Sequence, residues 1–130
     1  MKFPTELRYT RNDEWIRVEG EAATVGLTDY AQDQLSDIVY VEFSAAPSAK
    51  VTKGNSFGTV ESVKAAADVY MPVDAEVVEV NKALQQKPET LNKDPYGAAW
   101  LAKIKVTDAS QLEGLLDADA YEKFCQERSA

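Results

Sequence analysis

Glu61-Ser62-Val63-Lys64-Ala65-Ala66-Ala67-Asp68-Val69-Tyr70 sets one lysine among small and apolar neighbours, where two extended stretches meet in a tight turn. Phe57-Gly58-Thr59-Val60-Glu61-Ser62-Val63 runs into that turn, opened by Gly54 and Gly58 and rich in β-formers. Asp68-Val69-Tyr70-Met71-Pro72-Val73 runs out of it, β-rich again and closed by a proline. An ammonium at such a tip stands clear of the fold, with little around it to obstruct an approaching enzyme. A covalent attachment site needs that access, because the amine must be reached and the product must swing freely. A merely solvated lysine would occupy the same position, since exposed tips favour polar residues. Position alone leaves both readings open.

The chain on either side reads as more short strands. Trp15-Ile16-Arg17-Val18-Glu19 and Ala22-Ala23-Thr24-Val25-Gly26 flank Gly20 as a hairpin. Thr28 caps a short helix through Leu35, with Tyr30, Ala31 and Leu35 on one side. Ile38-Val39-Tyr40-Val41-Glu42-Phe43 is a strand, and Lys50-Val51-Thr52-Lys53 is a shorter one. Beyond the lysine come a strand Glu76–Val80, a helical turn from Lys87-Pro88 to Leu91, and a loop Asp94-Pro95-Tyr96-Gly97. Ala99–Val106 reads as the last long strand. Ser110 and Glu113 have the spacing of a capping box, and a final helix after Asp117 buries Tyr121, Phe124 and Cys125. Many closely spaced short strands predict a sandwich or barrel.

Composition narrows the function classes. At 130 residues the chain suits one domain, residues 1–130, long enough to bury a core. No apolar run approaches a membrane span, and Met1-Lys2-Phe3-Pro4 begins no signal or transit peptide, so a complete cytoplasmic protein is expected. A net charge of −8 argues against nucleic acid or an anionic membrane as partner and suits docking onto basic protein surfaces. The single cysteine, Cys125, excludes an internal disulfide and reads as a packed small apolar residue. The absence of histidine removes Ser-His and Cys-His catalysis, a histidine base and histidine metal ligands. No metal site and no phosphate loop are predicted. A chain of this kind presents a reactive group to other enzymes; it is not expected to be an enzyme itself.

Gly58-Thr59-Val60-Glu61-Ser62-Val63-Lys64-Ala65, with Asp68-Val69-Tyr70 and Pro72-Val73, closely resembles the lipoyl-lysine segment of the H proteins of the glycine cleavage system. Tyr9-Thr10, Glu14-Trp15 and Val25-Gly26-Leu27-Thr28-Asp29-Tyr30-Ala31-Gln32 resemble that family's opening segments. Glu76–Asn81, Asp94-Pro95-Tyr96-Gly97, Trp100-Leu101 and Leu115-Leu116-Asp117-Ala118 with Tyr121 continue the likeness in the same order to the end of the chain. Biotin carriers set their lysine between two methionines, and lipoyl domains of 2-oxo acid dehydrogenases place an aspartate before it. Here Val63 and Ala65 flank Lys64.

The resemblance implies a mainly β barrel-sandwich hybrid, two small antiparallel sheets with short peripheral helices and a C-terminal helix. It implies lipoate as the cofactor, in amide linkage to Lys64, with Glu61 serving recognition by the lipoylating enzyme. The completed arm would extend on the order of 14 Å from the backbone. In the cycle so implied, the oxidised arm takes an aminomethyl group from the pyridoxal-phosphate glycine decarboxylase (P protein). A folate-dependent aminomethyltransferase (T protein) removes it, and dihydrolipoyl dehydrogenase (L protein) reoxidises the dithiol. A lipoate ligase or a lipoyl or octanoyl transferase is the remaining partner. The alternative is a lipoate relay or storage protein that donates lipoyl groups to 2-oxo acid dehydrogenases. A monomer is expected from that role.

The resemblance further implies that the loaded arm is sheltered in a surface groove, and Glu14 and Asp68 match its carboxylates. The chain departs from the family nearby. Asp13 stands where a histidine is usual, Gln34 replaces a histidine of the first helix, and Ala75 replaces a glycine eleven residues beyond the lysine. Gln34 keeps hydrogen-bonding capacity in the groove without charge. A glycine at position 75 would serve positive φ or a close approach by the ligase.

Overall fold

In the computed structural model, which describes residues 1–129, the alternating runs form β1 (Arg8–Tyr9), β2 (Glu14–Glu19), β3 (Ala22–Leu27), β4 (Ile38–Phe43), β5 (Lys50–Val51), β6 (Ser56–Ser62), β7 (Ala66–Tyr70), β8 (Ala75–Val80) and β9 (Ala102–Val106). Helices α1 (Asp29–Leu35), α2 (Ala83–Gln86), α3 (Thr90–Lys93) and α4 (Ala118–Ser129) lie between and after them, with a 3-10 helix at Ala109–Gly114. The strands form two antiparallel sheets, one of order β1-β2-β3-β9-β8-β5 and one of order β4-β6-β7. This is the mainly β, two-sheet architecture with peripheral helices expected from the chain. Among the described residues, no helix is long and apolar enough to cross a membrane.

The core lies between the two sheets because alternate residues of each strand point inward. Ile16, Val25, Val41, Phe57, Val60, Val69, Val77 and Ile104 are all buried there, and Leu84 and Leu91 close it from α2 and α3. Each such side chain contributes about 1.5–3 kcal/mol on burial. A second apolar cluster of Leu7, Tyr9, Trp15, Tyr30, Tyr121 and Cys125 fastens α4 against β1 and β2. Tyr9 and Tyr121 stack there with ring centroids 4.6 Å apart. Cys125 is packed as a small apolar residue, with Tyr121 buried and Phe124 half-buried beside it.

Local chemistry explains most element ends. Gly20, at φ +67°, allows the two-residue turn between β2 and β3. Thr28 Oγ1 accepts the Ala31 N–H and starts α1. Three expectations are corrected. The Ala99–Val106 run becomes strand only from Ala102, because buried Asn81 donates from Nδ2 to the Ala98 and Trp100 carbonyls and holds that approach out of the ladder. The 3-10 helix is capped by Asp108, whose carboxylate accepts from Ser110 N–H and Oγ–H, so Ser110 is the capped residue and not the cap. The helical turn does open at Lys87 and Pro88, whose carbonyls accept the Thr90 and Leu91 N–H groups, but it runs on past Leu91 as α3 to Lys93, and α2 precedes it.

Candidate functional site

The lysine hairpin is β6 and β7, paired from Ser56↔Tyr70 to Glu61↔Ala66. Its four-residue tip is organised around Ser62. Ser62 N–H donates to the Ala65 carbonyl at 2.7 Å, and Ser62 Oγ–H donates to the same oxygen at 3.1 Å. Ser62 Oγ in turn accepts the Lys64 and Ala65 N–H groups at 3.3 and 3.0 Å. A serine hydroxyl that satisfies backbone groups two and three residues on stabilises a turn in which the next side chains point outward. Val63 N–H reaches across to the Asp37 carbonyl at 3.0 Å, so the end of α1 and the start of β4 brace the tip. Val63, Lys64 and Ala65 are all exposed. Lys64 therefore projects from a braced tip with small or solvated neighbours, which is the geometry an acylated lysine requires.

The three-stranded sheet has two unlike faces. Val41, Val60 and Ala67 share one row facing inward. Tyr40, Glu61 and Ala66 form an outward row directly behind the tip, and Glu42, Thr59 and Asp68 form the next. All but half-buried Thr59 are exposed in these two rows. Thr59 Oγ1 donates to Asp68 Oδ1 at 3.2 Å. Glu61 is thus three residues before Lys64 on the solvent face, and Asp68 is on the same face across the hairpin.

Glu14 lies at the other end of β7. Its carboxylate is 1% exposed and joins two segments: Thr10 Oγ1 donates to Oε1 at 2.7 Å, and Tyr70 N–H donates to Oε2 at 3.1 Å. Burial pushes this carboxyl up to about 7, against the opposing pull of the Thr10 and Tyr70 hydrogen bonds; Asp13 adds to the rise. A cavity of about 200 Å³ opens beside it, lined by Thr10, Arg11, Lys53, Met71 and Leu116. Tyr70 and Asp68 stand six and four residues beyond Lys64, at most about 20 and 13 Å along an extended chain.

Gln34 is exposed on α1, three residues before the Asp37 carbonyl that braces the tip. It also lines a shallow cavity with Tyr30, Glu122 and Gln126, away from the Thr10–Glu14–Tyr70 link. The structure brings Glu61, Lys64 and Asp68 onto one hairpin and ties Glu14 to its far end, but places Gln34 on a separate element. Ala75 is a buried strand residue paired with Val51 and Val106, and it is absent from the positive-φ positions. Positive φ is therefore not what that position demands, and its Cβ fits the core.

Sequence reasoning missed the partners of Asp13. This residue, at φ +67°, receives a bidentate pair from Arg128 at 2.6 and 3.1 Å and the Tyr121 hydroxyl at 2.8 Å. Arg128 also lies over the Phe124 ring at 4.1 Å. The only local signal was an acid followed by the Glu14-Trp15 strand start. Among the described residues, no group of three or more His, Cys, Asp or Glu side chains is placed to hold a metal ion.

Residues 7–128 match the family model described as glycine cleavage H-protein. A glycine cleavage system H protein of Bacteroides thetaiotaomicron is 52% identical over 121 residues, covering 93% of this chain and 95% of the relative. One from Anaeromyxobacter sp. (strain K) is 48% identical over 128 residues, covering 98% and 99%. The crystal structure of a glycine cleavage system H protein from Mycobacterium marinum superposes with a TM-score of 0.83 at 32% identity, covering 98% of this chain and 99% of that one.

Proposed function

Because the chain belongs to the glycine cleavage H-protein family, whose members serve as lipoyl carriers of that system, we propose that Lys64 is the lipoylated residue and that the protein acts as a carrier and not as an enzyme. The observation that carries this reading is Lys64 itself, exposed at the tip that Ser62 and Asp37 brace. The side chains there fit the group: the flanks are Val63 and Ala65, both exposed along with Lys64. When bound, the lipoyl group supplies a dithiol–disulfide pair on a flexible stem, suited to taking an aminomethyl unit from the glycine decarboxylase, giving it to the folate-dependent aminomethyltransferase and being reoxidised by dihydrolipoyl dehydrogenase.

The chain's own residues divide the remaining work. The Ser62 turn holds the Lys64 Cα in one place, so tethering raises effective concentration around a defined centre. Glu61 lies on the solvent face beside Ala66, where an attaching enzyme can read it. Asp68 and Glu14 place carboxylates along and at the end of β7, and a carboxylate in a partly enclosed site pairs strongly with a cationic group. Buried Glu14 exchanges its proton near neutral pH, so an ammonium brought beside it would favour the ionised form and pull its pKa down.

Intact mass spectrometry after coexpression with a lipoate ligase tests the central assignment. One lipoyl mass increment on the wild type, and none on Lys64→Arg, is expected. An unmodified wild type, or a modified arginine variant, overturns it.

A further inference from the structure

The outward face of the β4-β6-β7 sheet carries an aromatic and aliphatic patch with no role so far. Tyr40 is 45% exposed and stands directly opposite Glu61, in the row behind the lysine tip. A register shift between Ile38 and Tyr40 leaves Val39 exposed as well, at 53%, so two consecutive residues of β4 face solvent instead of one. Val63, 66% exposed, adjoins them through its hydrogen bond to the Asp37 carbonyl. Apart from Lys64 itself, the charges beside this patch are acidic: Asp37, Glu42, Glu61 and Asp68 are all exposed, and no lysine or arginine occupies the two outward rows.

We infer that Tyr40, with Val39 and Val63, is the docking surface for the enzyme that acylates Lys64, and that this enzyme meets it with an apolar socket bordered by basic side chains. This inference rests on Lys64 being the modified residue. Reach decides which partner the patch serves. The bare amine extends only roughly 6 Å from its Cα, so an enzyme that closes over it must also touch the adjoining row of the sheet. An enzyme that works on the completed arm acts on the order of 14 Å out and can leave that row uncovered. Charge complementarity then favours a basic border, which would speed encounter and fix orientation, while the aromatic ring supplies the anchoring contact. The step itself forms the bond between Lys64 Nζ and the acyl carbon of the enzyme-held lipoyl adenylate. AMP leaves, and the ammonium gives up two protons.

Steady-state lipoylation of the full chain by a purified lipoate ligase, with lipoate and ATP, tests this. Tyr40→Ser should raise the KM for the carrier about tenfold with little change in kcat, and Tyr40→Phe should retain the wild-type value. Wild-type KM should rise with salt, and Glu42→Gln should flatten that dependence. Once lipoylated, Tyr40→Ser should be reduced and reoxidised by dihydrolipoyl dehydrogenase at the wild-type rate. Val63→Ser, at an exposed tip position, gives a second reading should Tyr40→Ser not fold. Wild-type modification together with unchanged KM for the folded variants overturns the docking surface alone. A wild type that takes no lipoyl group overturns it along with the function reading.

Discussion

Glu14 and Tyr70, 56 residues apart in the chain, are joined by a 3.1 Å hydrogen bond from the Tyr70 N–H to a buried carboxylate oxygen. This contact links the six-stranded sheet to the outer edge of the lysine hairpin, which among the described residues has no strand partner on that side. The carboxylate thus completes a strand end that water would otherwise solvate.

The state of that carboxyl makes stability pH-dependent. Its pKa lies near 4.5 in the unfolded chain and about 7 in the folded one, so the folded protein retains the proton over that interval. The stabilising contribution is full below the lower value and is lost as pH rises through the upper one. Urea unfolding from about pH 5 to about pH 8 should show this loss, on the order of 3 kcal/mol at most, and Glu14→Gln should flatten it. A wild-type curve as flat as the glutamine variant's would refute the assignment.

At the tip, Ser62→Ala removes one donor and the acceptor of two N–H groups. The expected cost is about 1 kcal/mol, with hydrogen exchange at the Lys64 and Ala65 amides accelerated ahead of the rest of the hairpin. Unaltered exchange at those two amides would mean that the hydroxyl does not organise the turn.

Gly26→Ala probes the packing of Trp15. A Cβ at Gly26 would stand 2.6 Å from indole atoms Cε2 and Cζ2, and the ring is held by its Nε1–H bond to the Pro95 carbonyl. Overpacking of this kind costs about 1–3 kcal/mol. Denaturant titration followed by tryptophan fluorescence should give a lower midpoint; an unshifted midpoint would show that the indole moves freely.

Arg128→Met keeps an apolar stem over Phe124 and removes the pair with Asp13, whose side chains are 31% and 20% exposed and so partly screened by solvent. A loss of about 1 kcal/mol at low salt, shrinking at high salt, is expected from thermal melts. A salt-independent difference would assign the effect to packing.

Local patterns made the hairpin, β4 and the α1 cap legible, because alternation and the Thr28 cap act within a few residues of themselves. Lys64 was legible for the same reason: its exposure follows from a turn built by its own neighbours. The surroundings of Glu14 and Asp13 were not, since their partners Tyr70 and Arg128 are distant in the chain. Nothing in Thr10–Trp15 distinguishes a solvated acid from a buried one. The start of β9 failed through competition: Ala99–Leu101 has strand composition, but Asn81 takes the Trp100 carbonyl through Nδ2 and the Leu101 carbonyl through its backbone N–H. Asp108 and Ser110 are both good capping residues, and only the direction of their hydrogen bond tells which one caps.

The bracing of the hairpin tip by Ser62 and the Asp37 carbonyl has a mechanical corollary. A chain fastened to Lys64 would pivot about single bonds of the side chain while its mounting stays still, so any enzyme acting on it would have to bring its opening to one stationary fulcrum. Loosening the mount would widen the sweep only by blurring where it begins.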